Sequence, residues 1–457
     1  MDRLSSLDAW FLELEREVQQ LHVGTALLFD GPPPSLAQLT AAIESRLDLL
    51  PRYRQRVRRV PLELGRPVWA DDPGFWIGDH VRHVTVPPPG TEVRFRDLAA
   101  TIMSEHLDLS RPLWQTWLVD GLEGDRWALV NKTHHAMIDG ITGADILGVL
   151  LDSDPDPEPH VPAGWSPGPD PSAVRLAASA VGDLARAPLE VGHVLTQAFG
   201  APLRFTRQVA TELYGLVQAG EKVIRPESVL DGPIGARRRW GWARADLDEI
   251  KAVKNSLGGT VNDVILAAIT GGFRTFLEAR GETVDGQTVR SMVPVSMRAP
   301  QEHGIRGNQV SAVFADLPVG VVDPAERLAA VTRQLSSLKS SGMAVGVDSM
   351  FAAANLVPGT LFALGARVAA RVPQRAFSTV TTNVPGPRVP MYLLGHRMTE
   401  LFPYIPIGLD LRITIGIASY DGRLTCGVTG DYEAVPDLQV LCDGIEAATE
   451  ELVALVR

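Results

Sequence analysis

The stretch 152–171, DSDPDPEPHVPAGWSPGPDP, constrains this chain more than any other. Proline lacks a backbone N–H and has a locked φ, so it neither continues a helix nor sits in a central strand. Interleaved with Asp and Gly, the prolines leave extended, solvated chain that packs no core of its own. The chain therefore divides there, and its 457 residues exceed the usual size of one domain. We expect an N-terminal domain over 1–151, a linker over 152–232 and a C-terminal domain over 233–457. Within the linker, Ser172 to Lys222 is rich in Ala, Leu and Val, with Val174, Ala178, Val181 and Ala185 at helical spacing. Pro188 and Pro202 should break it into short helices, a connector packed on both domains.

Each half mixes strand-like runs with helices, which predicts an α/β architecture of the α+β sandwich kind. Trp127 to Thr133 reads as a strand and Ile141 to Leu151 as an apolar helix. Further on, Thr260 to Ala279 reads as a helix with Asn262 and Asp263 at its start. Arg290–Val295, Gln309–Phe314 and Leu411–Ile417 read as strands, and Asp421-Gly422 is a hairpin turn that pairs the last with Thr425–Thr429. The tail from Asp437 to Arg457 is an amphipathic helix.

Charge and cysteine usage exclude several classes. With 43 basic against 54 acidic residues, the net charge of −11 argues against a nucleic-acid binder, which needs a basic surface. Cys426 and Cys442 are too few and too far apart for a zinc cluster or disulfide framework, and they fit a reducing compartment. No basic stretch leads into an apolar run at the N terminus, so no secretory signal is expected. The most apolar run, Met343 to Val372, is broken by Asp348, Asn355, Pro358 and Arg367, which speaks against a membrane span. The expectation is a cytoplasmic protein, at most peripheral to a membrane.

The chemistry concentrates in His134-His135-Ala136-Met137-Ile138-Asp139-Gly140, at a strand-to-helix junction. Three readings are open. Imidazole and carboxylate are metal ligands, but the surroundings offer no clear third donor. The histidines could instead be satisfied partners in a packed turn. Or one is a general base, since neutral imidazole is the side chain best suited to take a proton near neutral pH. No Gly-x-Ser-x-Gly elbow, phosphate-cradling loop or dinucleotide glycine pattern is present. Covalent catalysis, nucleotide hydrolysis and hydride transfer thus lack their marks, leaving a base that activates a substrate's own nucleophile.

His-His-x-x-x-Asp-Gly resembles the signature of acyl-CoA-dependent acyltransferases built like chloramphenicol acetyltransferase. Almost end to end, the chain resembles one branch of them, the bacterial wax ester synthase/diacylglycerol acyltransferases. The similar segments are Leu4 to Glu15 with His22-Val23-Gly24, Pro112-Leu113-Trp114, Asn262-Asp263 and Met292 to Arg298. Gly307-Asn308, Thr382 to Pro387 and Gly416 to Gly422 complete the set in the same order. The resemblance implies two chloramphenicol-acetyltransferase-like domains joined by a helical linker, with the site in a tunnel between them.

It also implies roles. His135 is the base, His134 shapes the turn, and Asp139 is structural, paired with an arginine for which Arg298 and Arg52, Arg54 and Arg56 are candidates. Gly140 lets the chain turn beside the tunnel. His135 would take the proton from a hydroxyl of diacylglycerol or a long-chain alcohol as it attacks the acyl-CoA thioester. Asn262 would donate to the oxyanion, although Asn262-Asp263 also reads as a helix cap. Thr381, Thr382 and Asn383 are candidates to line the tunnel, or are ordinary turn chemistry. Acyl-CoA is a co-substrate, so no cofactor and no metal are expected. Partners would be acyl-CoA, the acceptor lipid, and a membrane or lipid-droplet surface, with no nucleic acid. Alternatives are a carrier-protein-dependent condensation enzyme, a silent lipid-binding protein and a metal-dependent hydrolase. Pro112-Leu113-Trp114 reads as packing. Arg52, Arg54, Arg56 and Arg58 read as one basic strand face, either solvated or contacting anionic lipid or coenzyme A phosphates.

Overall fold

The computed structural model describes residues 2–137, 145–182, 228–296, 310–340 and 376–457. Among them two six-stranded sheets and one small sheet carry the architecture. The strands are β1 (Asp2–Arg3), β2 (His22–Asp30), β3 (Gln55–Arg58), β4 (Val68–Asp71), β5 (Val81–Thr85), β6 (Trp114–Leu122) and β7 (Arg126–His134). After the linker come β8 (Arg238–Asp246), β9 (Val289–Ser296), β10 (Val310–Leu317), β11 (Thr379–Pro385) and β12 (Tyr392–Leu393). The last three are β13 (His396–Tyr404), β14 (Ile413–Tyr420) and β15 (Arg423–Asp431). The helices used below are α1 (Ser6–Leu14), α2 (Leu36–Arg46), α3 (Glu92–Ser104), α4 (Asp145–Leu150), α5 (Leu247–Leu257), α6 (Val261–Ala279), α7 (Pro324–Ser340) and α8 (Leu438–Ala454).

The first sheet runs β12-β13-β2-β7-β6-β5 and the second β10-β9-β11-β14-β15-β8. Side chains alternate along a strand, and both faces of the first sheet are covered. Leu27, Phe29, Trp127 and Leu129 face one core with Leu39 and Ile43 of α2, while Ala26, Leu28, Ala128 and Val130 face another with Phe95 and Ala99 of α3. That explains why Trp127 to Val130 reads as an unbroken apolar run. On the second sheet, α6 and α8 pack closely enough that a Cβ at Gly272 would lie 2.5 Å from the Ile445 side chain. The hairpin turn at Asp421-Gly422 has φ of 42° and 80°, the left-handed pair that matches strand twist.

Membership of the sheets does not follow one cut in the chain. Strand β13, from the C-terminal half, pairs antiparallel with β2 and so belongs to the first sheet. It is also where the halves meet. Trp242 stacks on Phe402 at 4.2 Å, and Trp240 donates through Nε1 to the Pro403 carbonyl at 3.2 Å. Arg244 on β8 binds Glu400 of β13 (Nε–Oε1, 2.6 Å) and Glu92 at the start of α3 (2.9 Å). Removing the guanidinium takes from Glu400, whose side chain is 8% exposed, its short ion pair and leaves it only the longer contact with Arg423 at 3.7 Å. Arg244→Ala should therefore cost about 1–3 kcal/mol after allowance for the solvent that reaches Arg244. Urea unfolding measures this, and a loss under about 0.5 kcal/mol would place the cluster among ordinary surface pairs.

The Pro-rich stretch has no regular structure but is not free in solvent. His160 bonds Asp48 at 2.9 Å, the Ala163 N–H donates to Asp48 and the Gly168 N–H to Asp71. The composition excludes a core, and carboxylates of the N-terminal half supply the missing partners. In the helix at 173–182, Leu176 and Ala180 are buried while Val174 and Val181 are 78% and 57% exposed. The docked stripe is thus not the expected Val174/Ala178/Val181 one. It is set by contacts with the N-terminal edge, where Arg3 bonds the Ser179 hydroxyl. Positions Ala185, Pro188 and Pro202 lie outside the described residues.

The arginine run is neither a solvated face nor an open basic patch. Pro51–Arg54 is a 3₁₀ turn, and the strand begins only at Gln55. Arg52 pairs with Asp2 and lies over Trp69, and Arg54 lies over Trp165 of the linker. Arg56 pairs with Asp72 and Asp170, and Arg58 with Asp170. The basic run is matched to Asp2 and Asp72 of its own half and to Asp170 and Trp165 of the segment that follows, which local reading of either stretch does not reveal.

Candidate active site

Strand β7 ends at His134, and a 3₁₀ turn, His135–Met137, carries the chain off the sheet. Both backbone N–H groups at the junction are held: His134 donates to Leu113 O at 2.9 Å and His135 to Leu21 O at 2.8 Å. The Pro112-Leu113-Trp114 segment thereby supports the histidines through its backbone. Its ring is pure packing: Trp114 is fully buried, donates to Tyr53 O at 2.8 Å and stacks on His80.

The two histidines have opposite environments. The His134 ring is wholly buried, with Nε2 bonded to Glu15 Oε2 at 2.5 Å and Nδ1 accepting the Ala136 N–H at 3.0 Å. His135 is half-buried, and its ring stacks on Phe11 at 3.8 Å with planes 26° apart. Its Nδ1 is buried and has no hydrogen-bond partner among the described residues. Desolvation, reinforced by the neighbouring His134, brings the His135 pKa down to about 4. At neutral pH the ring is uncharged and holds a lone pair. That is the state a base requires.

The other sequence candidates fall on two sites of the C-terminal half. Thr260, not Asn262, caps α6: its hydroxyl accepts the Asp263 N–H at 3.2 Å while Asp263 Oδ2 accepts the Thr260 N–H at 2.8 Å. This reciprocal box satisfies two free helix-end donors and releases Asn262 from capping. Asn262 Oδ1 instead accepts from Asn383 Nδ2 at 3.3 Å, joining the start of α6 to the end of β11. Thr382 is half-buried and Asn383 exposed. Thr381 is sealed in the sheet, 1% exposed, its hydroxyl bonded to Ser291 at 2.9 Å. Thr381 therefore supports the strand rather than lining a passage. Asp139, Gly140, Arg298, Gly307 and Asn308 lie outside the described residues.

Comparison with known proteins gives the chain its family. Residues 4–265 match the wax ester synthase/diacylglycerol acyltransferase catalytic domain, and residues 306–453 the WS/DGAT C-terminal domain. The chain belongs to the wax ester synthase/diacylglycerol acyltransferase family. It is 34% identical over 461 residues to a Mycobacterium tuberculosis protein named "Probable diacyglycerol O-acyltransferase tgs1", covering 100% of this chain and 97% of that one. A Mycobacterium bovis relative of the same activity name matches with the same identity and coverage. Among solved structures, the wax ester synthase/diacylglycerol acyltransferase of Marinobacter aquaeolei VT8 superposes with a TM-score of 0.71 at 24% identity, over 100% of both chains. The starter condensation domain of rhizomide synthetase, solved with C8-CoA, superposes at 0.57 and 14% identity, over 100% of this chain and 94% of that one. These superpositions show that the chain shares its fold with both structures.

Family membership makes the chain an O-acyltransferase of the class that esterifies diacylglycerol or a long-chain alcohol. Reading for catalytic residue types passes over Phe11, Glu15 and His106, although Phe11 and Glu15 fall within the family-like opening. A signal existed, because residues four apart on a helix share a face, but nothing local says which partner that face meets.

Proposed function

We propose that the chain transfers a long-chain acyl group from acyl-CoA to diacylglycerol, a long-chain alcohol or both, with His135 as general base. The observation that carries this is the His135 ring: uncharged at neutral pH, half-open, and pressed against Phe11 beside a fully committed His134. Nδ1 is sealed, so Nε2 is the nitrogen left to meet an acceptor hydroxyl. It takes the hydroxyl proton as the oxygen attacks the thioester carbonyl. The negative charge gathers on the carbonyl oxygen, and collapse expels coenzyme A thiolate, to which His135 returns the proton. Asn262 is the oxyanion donor in this reading: with Oδ1 engaged by Asn383, its NH₂ is the group left to donate. Thr382 and Asn383 bound the same passage, and Asp139 and Gly140 keep the structural roles the resemblance implies. A thioester is already activated and the base is supplied by the chain, so the reaction so written calls for no metal and no cofactor.

The acceptors are water-insoluble, which supports work on the cytoplasmic side at a membrane or lipid-droplet surface. No helix among the described residues is long and apolar enough to cross a membrane. Purified protein given labelled palmitoyl-CoA, with diacylglycerol and hexadecanol offered separately, should form triacylglycerol, wax ester or both. Turnover only with an acyl carrier protein would favour the condensation-type reading, and none with any donor would favour a silent lipid-binding protein.

The pH profile follows from the same ring. Protonation silences a base, and burial favours the uncharged form. The acid limb of kcat/KM should therefore lie near pH 4 rather than near the ordinary histidine value of about 6.5. A limb at 6.5 would mean that the titrating base is a solvated imidazole and not His135 as seen here.

A further inference from the structure

One helix contacts both histidines of the motif. Phe11 and Glu15 lie one turn apart at the end of α1, linked by the Glu15 N–H to Phe11 O hydrogen bond. Phe11 covers His135, and the Glu15 carboxylate bonds His134 Nε2 at 2.5 Å and His106 Nδ1 at 2.8 Å. The Glu15 side chain is only 6% exposed. Burial pushes its pKa up, but the hydrogen bonds from His134 and His106 outweigh that and hold it below the usual carboxylate range. It is an ionised acceptor at working pH.

The roles of both His134 nitrogens then follow. Nδ1 accepts the Ala136 N–H, so it carries no proton, and Nε2 must be the protonated nitrogen that donates to Glu15. Ala136 is the middle of the turn His135–Met137 that presents His135. Resting on the general-base reading of His135, we propose that Glu15 is a positioning residue of this acyltransferase. By fixing His134 as its Nε2–H tautomer, it keeps Nδ1 free to hold the Ala136 amide and so sets the turn that aims His135. Anchoring α1 does not need Glu15, because Leu12 and Leu14 are buried and Glu13 bonds Arg59 at 2.5 Å.

The test compares Glu15→Leu, which removes the acceptor at similar volume, with Glu15→Gln, whose amide oxygen can still accept from His134. E15L should lower kcat about 10–100-fold with the KM for palmitoyl-CoA within about threefold of wild type, whereas E15Q should stay within about threefold in kcat. In ¹⁵N-histidine-labelled protein, the His134 signal, assigned by its loss in His134→Asn, should show the Nε2–H tautomer in wild type and E15Q and lose it in E15L. If E15L does not fold, Glu15→Met, with a flexible side chain that fills the same space, replaces it under the same readouts. A kcat within threefold of wild type in the folded acceptor-less variant, or an unchanged His134 tautomer there, would overturn the proposal. His135→Ala run alongside separates the two claims: near-normal turnover in that variant defeats the base assignment itself, not merely its positioning.

Discussion

His135→Ala is expected to remove about 10²–10⁴ of the turnover, the usual contribution of a positioned general base. The fold should survive. The backbone bond from residue 135 to Leu21 O is independent of the side chain, and Nδ1 has no described partner to strand. What is lost besides the base is the stacking contact with Phe11. Stacked rings of this kind contribute about 0.5–1.5 kcal/mol, so a thermal melt should move by only a few degrees. Binding of palmitoyl-CoA, measured by calorimetry, should stay within a few-fold because the thioester is not held by the base. His134→Ala makes the contrast. There the Glu15 carboxylate and the Ala136 N–H lose a buried partner, which costs stability as well as rate. Retention of more than a tenth of wild-type turnover by His135→Ala would end the proposed mechanism.

Gly427→Ala should produce the largest loss of stability. Gly427 lies on β15 where it faces β13, and a Cβ built there would sit 1.8 Å from the Pro403 carbonyl oxygen and 2.9 Å from its carbon. Those are backbone atoms of the strand that joins the first sheet, so no rotamer change relieves the clash. One strand must move. Either β15 leaves its ladder with β8 and β14, or β13 moves off β2 and the Trp242–Phe402 contact opens. Overpacking usually costs about 1–3 kcal/mol, and a rigid backbone obstacle belongs in the exceptional range of about 4–5 kcal/mol. The expected result is poor soluble yield, or a urea midpoint far below wild type. A midpoint within about 0.5 kcal/mol of wild type would mean that the two sheets are not in contact at this position.

Several elements were legible because their signals are local. The strand through Trp127, the helix from Thr260, the Asp421-Gly422 hairpin and the C-terminal helix each follow from periodicity or turn chemistry confined to a few residues. The cap of α6 was partly legible. A Thr three residues before an Asp marks a capping box, and recognising Thr260 separates Asp263, which closes the helix, from Asn262, which reaches Asn383. Thr381 and Asn383 sit two apart on one strand yet differ completely in exposure: β11 pairs with β14 as far as Pro385, but its pairing with β9 stops at Val380.

The sequence by itself determined which atoms are available: two adjacent histidines at a strand end, an asparagine at a helix start, and no competing nucleophile within a recognisable motif. It also determined where regular secondary structure must stop, since proline removes backbone donors wherever it stands. Tertiary structure alone decided the pairings. It placed His134 and His106 on Glu15, Phe11 on His135, the linker's Asp170 on the arginine run, and a C-terminal strand in the N-terminal sheet. The physical reason is that turns and helices are stabilised by neighbours a few residues apart. A carboxylate, by contrast, is chemically equivalent to every other carboxylate in the chain until folding brings one imidazole within 2.5 Å of it.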